Sequence, residues 1–313
     1  MPVFVQNPDP RSLVERPADR LLPGDTRMGA VELLVRDLDA MIAFYSRGVT
    51  LDVLEHVGDT AVLGRGGQPL VRLRRVRDLP PRRPGEAGLF HTAVLFEDRQ
   101  SLAFAAASVA RLASQSFTGS SDHLYSEAFY FDDPEGNGVE LYVDRPRETW
   151  QRDGNGLLQT ATNALDPNAF LRAHLPQQPV APPPATLGHV HLQVGDIGVA
   201  RDFYVDALGF EVMSDLGTAL FIAAGGYHHH VAVNTWGTAG AGPRAAALGL
   251  GQVNIDLPDD DDVAALQQRL VDHRIEVRHD GRTLRFDDPW GTLIQVAPAG
   301  AWARTGPGTG VLT

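Results

Sequence analysis

The chain repeats itself, and a repeat restricts the architecture before any single motif is read. Residues 31–55, "VELLVRDLDAMIAFYSRGVTLDVLE", align without gaps on residues 190–214, "VHLQVGDIGVARDFYVDALGFEVMS". Asp37 falls on Asp196, Phe44 on Phe203 and Tyr45 on Tyr204. Both stretches read as an alternating strand, an aspartate cap, a helix carrying Phe-Tyr and a second strand. Each runs on through "GDTAVLGRGGQPLVRL" or "GTALFIAAGGYHHHVAV", two further strands broken by Gly-Gly. A second pair is fainter: residues 89–112 and 250–273 each give a strand followed by a helix. They end alike, "FYFDDPEGNGVELYV" (129–143) against "LRFDDPWGTLIQVAP" (284–298), with Asp133-Pro134 matching Asp288-Pro289. The chain therefore reads as four βαβββ units, 27–77, 87–147, 186–236 and 248–299. Between the second and third lies a linker, 151–185, with a short helix around "LDPNAFLRAHL" and the proline-rich "PQQPVAPPPAT".

Composition excludes several kinds of chemistry. There is no cysteine, so disulfides, thiolate metal sites and cysteine nucleophiles are ruled out, and a transition metal would need His, Asp or Glu. The net charge is −12 and all 27 basic residues are arginine, a balance that argues against nucleic acid and anionic membranes as partners. The six arginines of "VRLRRVRDLPPRRPG" (71–85) read as a solvated strand end and loop. No run approaches the ~20 apolar residues of a membrane span, and the N-terminus lacks an apolar signal core. A soluble cytoplasmic protein is expected. "PDDDDV" (258–263) precedes an apolar-periodic helix and reads as N-terminal capping rather than a calcium site. "PEGNG" (134–138) reads as turn chemistry, and residues 300–313 as a flexible tail. The run His228-His229-His230 places three metal-competent, titratable imidazoles after a glycine turn, where a strand begins.

Four βαβββ units with an Asp…Phe-Tyr helix resemble the vicinal oxygen chelate superfamily, also called the glyoxalase/bleomycin resistance/dioxygenase fold. The resemblance covers residues 27–299 and implies an α+β protein whose units pair into two half-open, barrel-like domains. In chain order these are 27–150 and 186–299, after an N-terminal extension 1–26. The superfamily carries one metal ligand early in a unit's first strand and another in its last. First-strand positions here read Ala30, His91, His189 and Gln252, and last-strand positions Arg72, Glu140, a position near Val231, and Gln295. The ligand-type residues are His91, Glu140 and His189, two imidazoles and a carboxylate, the composition of a facial triad with open metal positions. His191 shares a strand face with His189 and rivals it, although His189 keeps the register, seven residues before Asp196 as Ala30 is before Asp37.

With units two and three forming the site, the pattern resembles extradiol ring-cleavage dioxygenases of the catechol 2,3-dioxygenase type. "HHVAV" places His229 at their catalytic histidine, with His230 the second choice. "SDHLYSEAFYFDDPEGNGVELY" (121–142) supplies His123, Tyr130 and Glu140 in their order. The ligand order His91, Glu140, His189 departs from the common His, His, Glu. It is similar to a bacterial branch in which "GGYHHH" and "SDH…SEA" also occur. This order is explained if units two and three share one barrel and one and four the other, or if a subunit contact completes a site between consecutive pairs. The resemblance implies Fe(II), with Mn(II) equally suited to the donors, and a small aromatic diol and O2 as substrates. It also implies a homo-oligomer. His229 would take a catechol proton and later return one, Tyr130 would hydrogen-bond the bound diol oxygen, and His123 would hold a distal oxygen. Two alternatives stand beside it. A glyoxalase-type isomerase or lyase would need a second carboxylate, which "HHHVAV" lacks. A metal-free protein binding an aromatic antibiotic would not need the three ligand-type residues to coincide.

Overall fold

A computed structural model describes residues 3–178, 181–182 and 184–301 of the 313-residue chain. Of the expected tail 300–313, residues 302–313 lie outside the described residues. The protein is α+β, built on two curled nine-stranded sheets. The repeat unit appears as expected. In the first unit, Val31–Val35 leads to a helix, Leu38–Ala43, capped by Asp37, which accepts from Ala40 N (3.0 Å). In the third, Asp196 caps Ile197–Arg201 by accepting from Val199 N (2.8 Å). Both helices continue into one wider turn, Phe44–Gly48 and Asp202–Ala207, which seats the repeated Phe-Tyr pair in the core. Asp259 caps Asp260–Asp272 by accepting from Asp262 N (3.0 Å), and Asp260, Asp261 and Asp262 fill its first turn.

The sheets decide how the units combine. One runs Asn163–Ala164, Phe117–Asp122, Ser126–Asp132, Gly138–Asp144, Gly88–Phe96, Ala185–Gln193, Val231–Asn234, Ala219–Ala223, Glu211–Asp215, and so joins units two and three. The other joins units four and one, with Gly249–Leu257 antiparallel to Val31–Val35 at its centre. Each of the stretches 27–150 and 186–299 contributes one unit to each sheet. The consecutive units are linked differently, through their helices. Tyr45 of unit one donates to Asp133 of unit two (3.3 Å), and Tyr204 of unit three donates to Asp288 of unit four (2.9 Å). Within each sheet, first strands pair because each has a free edge once its own last strand lies parallel on the other side. Between sheets, buried Tyr–Asp bonds hold helix to turn, and one apolar core runs through both sheets.

The linker is part of the fold. Asn163–Ala164 extends the sheet edge beside Phe117–Asp122, and Pro167–His174 packs Phe170 against Phe129 (ring centroids 5.2 Å). The N-terminal extension also lies on this sheet, with Phe4 N donating to Thr160 O (2.9 Å) and Gln6 Nε2 to Leu158 O (2.7 Å). No helix among the described residues is long and apolar enough to cross a membrane.

Candidate metal centre

Strand register brings the ligand-type residues together. Tyr130 lies opposite Glu140, Glu140 opposite Ala93, and Ala93 opposite His189, one row across four adjacent strands. Neighbouring strands are about 4.7–4.9 Å apart, so Glu140 and His189 flank a methyl group rather than a bulky side chain. His91 shares the face of Ala93, two residues along the same strand, and completes a triangle. The ligand atoms of His91, Glu140 and His189 all lie within 4.8 Å of one another. Glu140 Oε2 is 2.9 Å from His91 Nε2 and 3.2 Å from His189 Nε2. A bulge at Gly188 sets the register just before His189, and a β-carbon there would collide with the Tyr142 hydroxyl.

The donor set fits a divalent transition metal. All three side chains are buried, at 6%, 3% and 1% exposure for His91, Glu140 and His189. His91 Nε2 and His189 Nδ1 are buried with no hydrogen-bond partner, an uncommon state for polar atoms. His91 Nε2 nevertheless points at the carboxylate oxygen that His189 Nε2 also faces, as donors sharing one cation do. Burial opposes ionisation of Glu140, but the adjacent His189 and His91 outweigh it and hold its carboxyl well below the usual range. Burial pushes His189 down to about 4, keeping its imidazole neutral and able to donate a lone pair.

His191 is occupied otherwise. Asn234 Oδ1 accepts from Trp236 N (2.9 Å), so Asn234 Nδ2 is the group facing His191 Nε2 (2.9 Å) and donates to it. That nitrogen's lone pair is spent within the protein, whereas that of His91 Nε2 is not. The equivalent positions of the other sheet hold amides. Gln252 occupies the register of His91 and Gln295 that of Glu140, and Gln252 Nε2 donates to Gln295 Oε1 (2.9 Å). Arg285 Nε also donates to Gln295 (3.0 Å), so two amides and a guanidinium meet here in place of imidazole and carboxylate.

The histidine run lies just before the strand Val231–Asn234 rather than within it, and its members separate. His229 lines a cavity of about 500 Å3 with His91, Glu140, Tyr130 and His123. Its ring stands 4.0 Å from that of His189. His230 instead accepts from Ala224 N (3.2 Å), packs against Tyr227 and is not among the cavity residues. His228 is stacked on Tyr125 and donates Nε2–H to Asp144 Oδ1 (2.8 Å), while its Nδ1 meets His229 Nδ1 (2.8 Å). Tyr227 donates to the other Asp144 oxygen (2.9 Å) and is joined to Tyr142 (2.8 Å). Across the cavity, the carbonyl of Ala161 can only accept, so His123 Nδ1 carries the proton (2.6 Å). His123 Nε2 then accepts from the Tyr130 hydroxyl (2.7 Å). Burial keeps Tyr130 protonated and keeps His123, His191 and His229 neutral.

Sequence reasoning missed Asp144, Tyr227, Asn234, and the cavity lining supplied by Phe4, Thr160 and Thr162. Asp144 stands four residues after Glu140 on the same strand, a same-face spacing that could have marked it. The linker and N-terminal residues carried no periodic signal.

The sequence profile of the Glyoxalase/Bleomycin resistance protein/Dioxygenase superfamily matches residues 27–141 and 186–296. The chain is 34% identical over 274 residues to a catechol-2,3-dioxygenase of Bacillus subtilis (strain 168), covering 85% of this chain and 94% of that one. In fold it is similar to a candidate dioxygenase from Bacillus subtilis subsp. subtilis str. 168 (TM-score 0.61, 13% identity, 90% and 86% of the two chains). It is also similar in fold to glyoxalase I from Zea mays (TM-score 0.54, 18% identity, 88% and 92%). By its repeated units, their paired sheets and the extent of these matches, the chain belongs to the glyoxalase/bleomycin resistance protein/dioxygenase superfamily.

Proposed function

We propose that the protein is an extradiol dioxygenase that opens the ring of a catechol-type diol with O2, using non-haem iron(II) held by His91, Glu140 and His189. The observation that carries this reading is the convergence of those three buried donors beside the cavity of a chain 34% identical to a catechol-2,3-dioxygenase. Iron held by two imidazoles and a carboxylate would supply open positions where diol and dioxygen meet; manganese(II) suits the same donors.

The protein's own groups supply proton handling. With Nε2–H of His228 on Asp144, His228 Nδ1 accepts from His229 Nδ1–H, which leaves His229 Nε2 as a base. When His229 Nε2 takes a diol proton, its Nδ1 proton can pass to His228 Nδ1. The positive charge then rests beside Asp144, rather than against His189. The reverse transfer makes His229 an acid for a later step. On the opposite wall Tyr130, fixed by His123, keeps its oxygen lone pairs available to the diol.

The test is anaerobic loading with iron(II), addition of catechol and air, and recording of O2 uptake with the yellow ring-opened product. Turnover that vanishes in Glu140→Gln and His189→Ala, with circular dichroism unchanged, supports the assignment. Failure to bind any divalent metal would refute it and favour a metal-free binding protein.

A further inference from the structure

We propose that the diol this site takes carries an uncharged, apolar substituent, aryl or branched alkyl, and that ring carboxylates are rejected; this rests on the dioxygenase reading above. The cavity is the first support. At about 500 Å3 it falls among sites that enclose a ligand well beyond one ring. Its mouth is the second. Phe4, Phe90 and Trp236 line it and remain 44%, 37% and 44% exposed, a clustering of large aromatic surface that the core does not explain.

Phe90, Trp236 and Phe221 form a connected wall beside the metal donors, joined through His191. The Phe90 ring lies 5.3 Å from His91 and 5.7 Å from Trp236, and Phe221 lies 5.1 Å from His229. A diol bound at His91, Glu140 and His189 would project its substituent along this wall, where apolar burial favours binding. The opposite wall is hydroxyl-bearing, from Ser120, Ser121, Thr160 and Thr162, and offers neutral hydrogen bonds. Carboxylates stand at both ends, Glu140 at the donors and Asp132 at the exposed rim. No arginine is among the described lining residues, and His123 Nε2 and His191 Nε2 already accept from Tyr130 and Asn234. A substrate carboxylate would leave water against aromatic rings and meet no cation, a costly desolvation.

The experiment compares catechol, 4-tert-butylcatechol, 4-phenylcatechol and 3,4-dihydroxybenzoate, both as substrates of the iron(II)-loaded protein and as ligands of the metal-free protein by calorimetry. The expected result is a kcat/KM for the two apolar diols at least about tenfold above catechol and a hundredfold above the carboxylate. In the metal-free protein the apolar diols should bind at least tenfold more tightly than the carboxylate. In Trp236→Ala the preference for 4-phenylcatechol over catechol should shrink at least fivefold. A carboxylate turned over or bound as well as the apolar diols overturns the inference, as does equal treatment of all four. If no diol is turned over while the binding preference holds, the substituent site stands and the dioxygenase reading falls.

Discussion

Replacing Asp144 by asparagine isolates its charge from its shape. The amide oxygen can still accept from His228 Nε2–H, and the Tyr142–Tyr227 hydroxyl pair can reverse to accept the new N–H, so the packing is kept. What disappears is the anion beside the imidazole that receives the proton. At about 4 Å and an effective dielectric near 20, that attraction is worth about 4 kcal/mol. The Asp144 side chain is 24% exposed, so screening reduces the figure to about 2 kcal/mol. With tenfold in rate per about 1.4 kcal/mol, kcat should fall roughly thirtyfold. KM and iron content should change less than about threefold, because Asp144 is neither a metal donor nor part of the cavity wall. Steady-state O2 uptake on a catechol, beside metal analysis of the same sample, measures all three. A kcat within about threefold of the parent would show that the charge on Asp144 does not support proton movement through His228.

Ala93→Leu places a larger side chain between Glu140 and His189; metal affinity measured by competition with a chelator should drop at least about tenfold, and unchanged affinity would refute the row geometry. Asp133 offers a pH test away from the site. Burial pushes it up to about 6 from 3.8. A carboxyl raised in the folded state favours folding while protonated, so its contribution is present below about pH 4 and is lost as pH rises to 6. The loss approaches 3 kcal/mol at about 1.4 kcal/mol per unit. Urea unfolding at pH 4.5 and 6.5 should show a smaller decline with pH for Asp133→Asn than for the parent. An identical decline in both proteins would exclude Asp133 as its source.

What the sequence determined by itself follows from local periodicity and register. The repeat placed Asp37 and Asp196 as helix caps and put Phe44, Tyr45, Phe203 and Tyr204 on the helices they begin, because cap and amphipathic spacing are local properties. The same register picked out His91, Glu140 and His189, which lie together because equivalent strands occupy equivalent places in each sheet. It could not choose how four similar units pair, since any first strand can present the same edge to any other. The sheets join two with three and four with one, while the Tyr45–Asp133 and Tyr204–Asp288 bonds tie one to two and three to four. Register ranked His189 above His191, and the resemblance ranked His229 above His230, but neither showed what each imidazole bonds to. Those pairs differ in their partners: Asn234, 43 residues away, engages His191, and Asp144, 84 residues from His228, reaches His229 through it, while His230 turns back on Ala224 within its own hairpin. Side-chain hydrogen bonds between remote segments leave no periodic trace in a sequence, so the identity of the free lone pair at each histidine was decided by the tertiary structure alone.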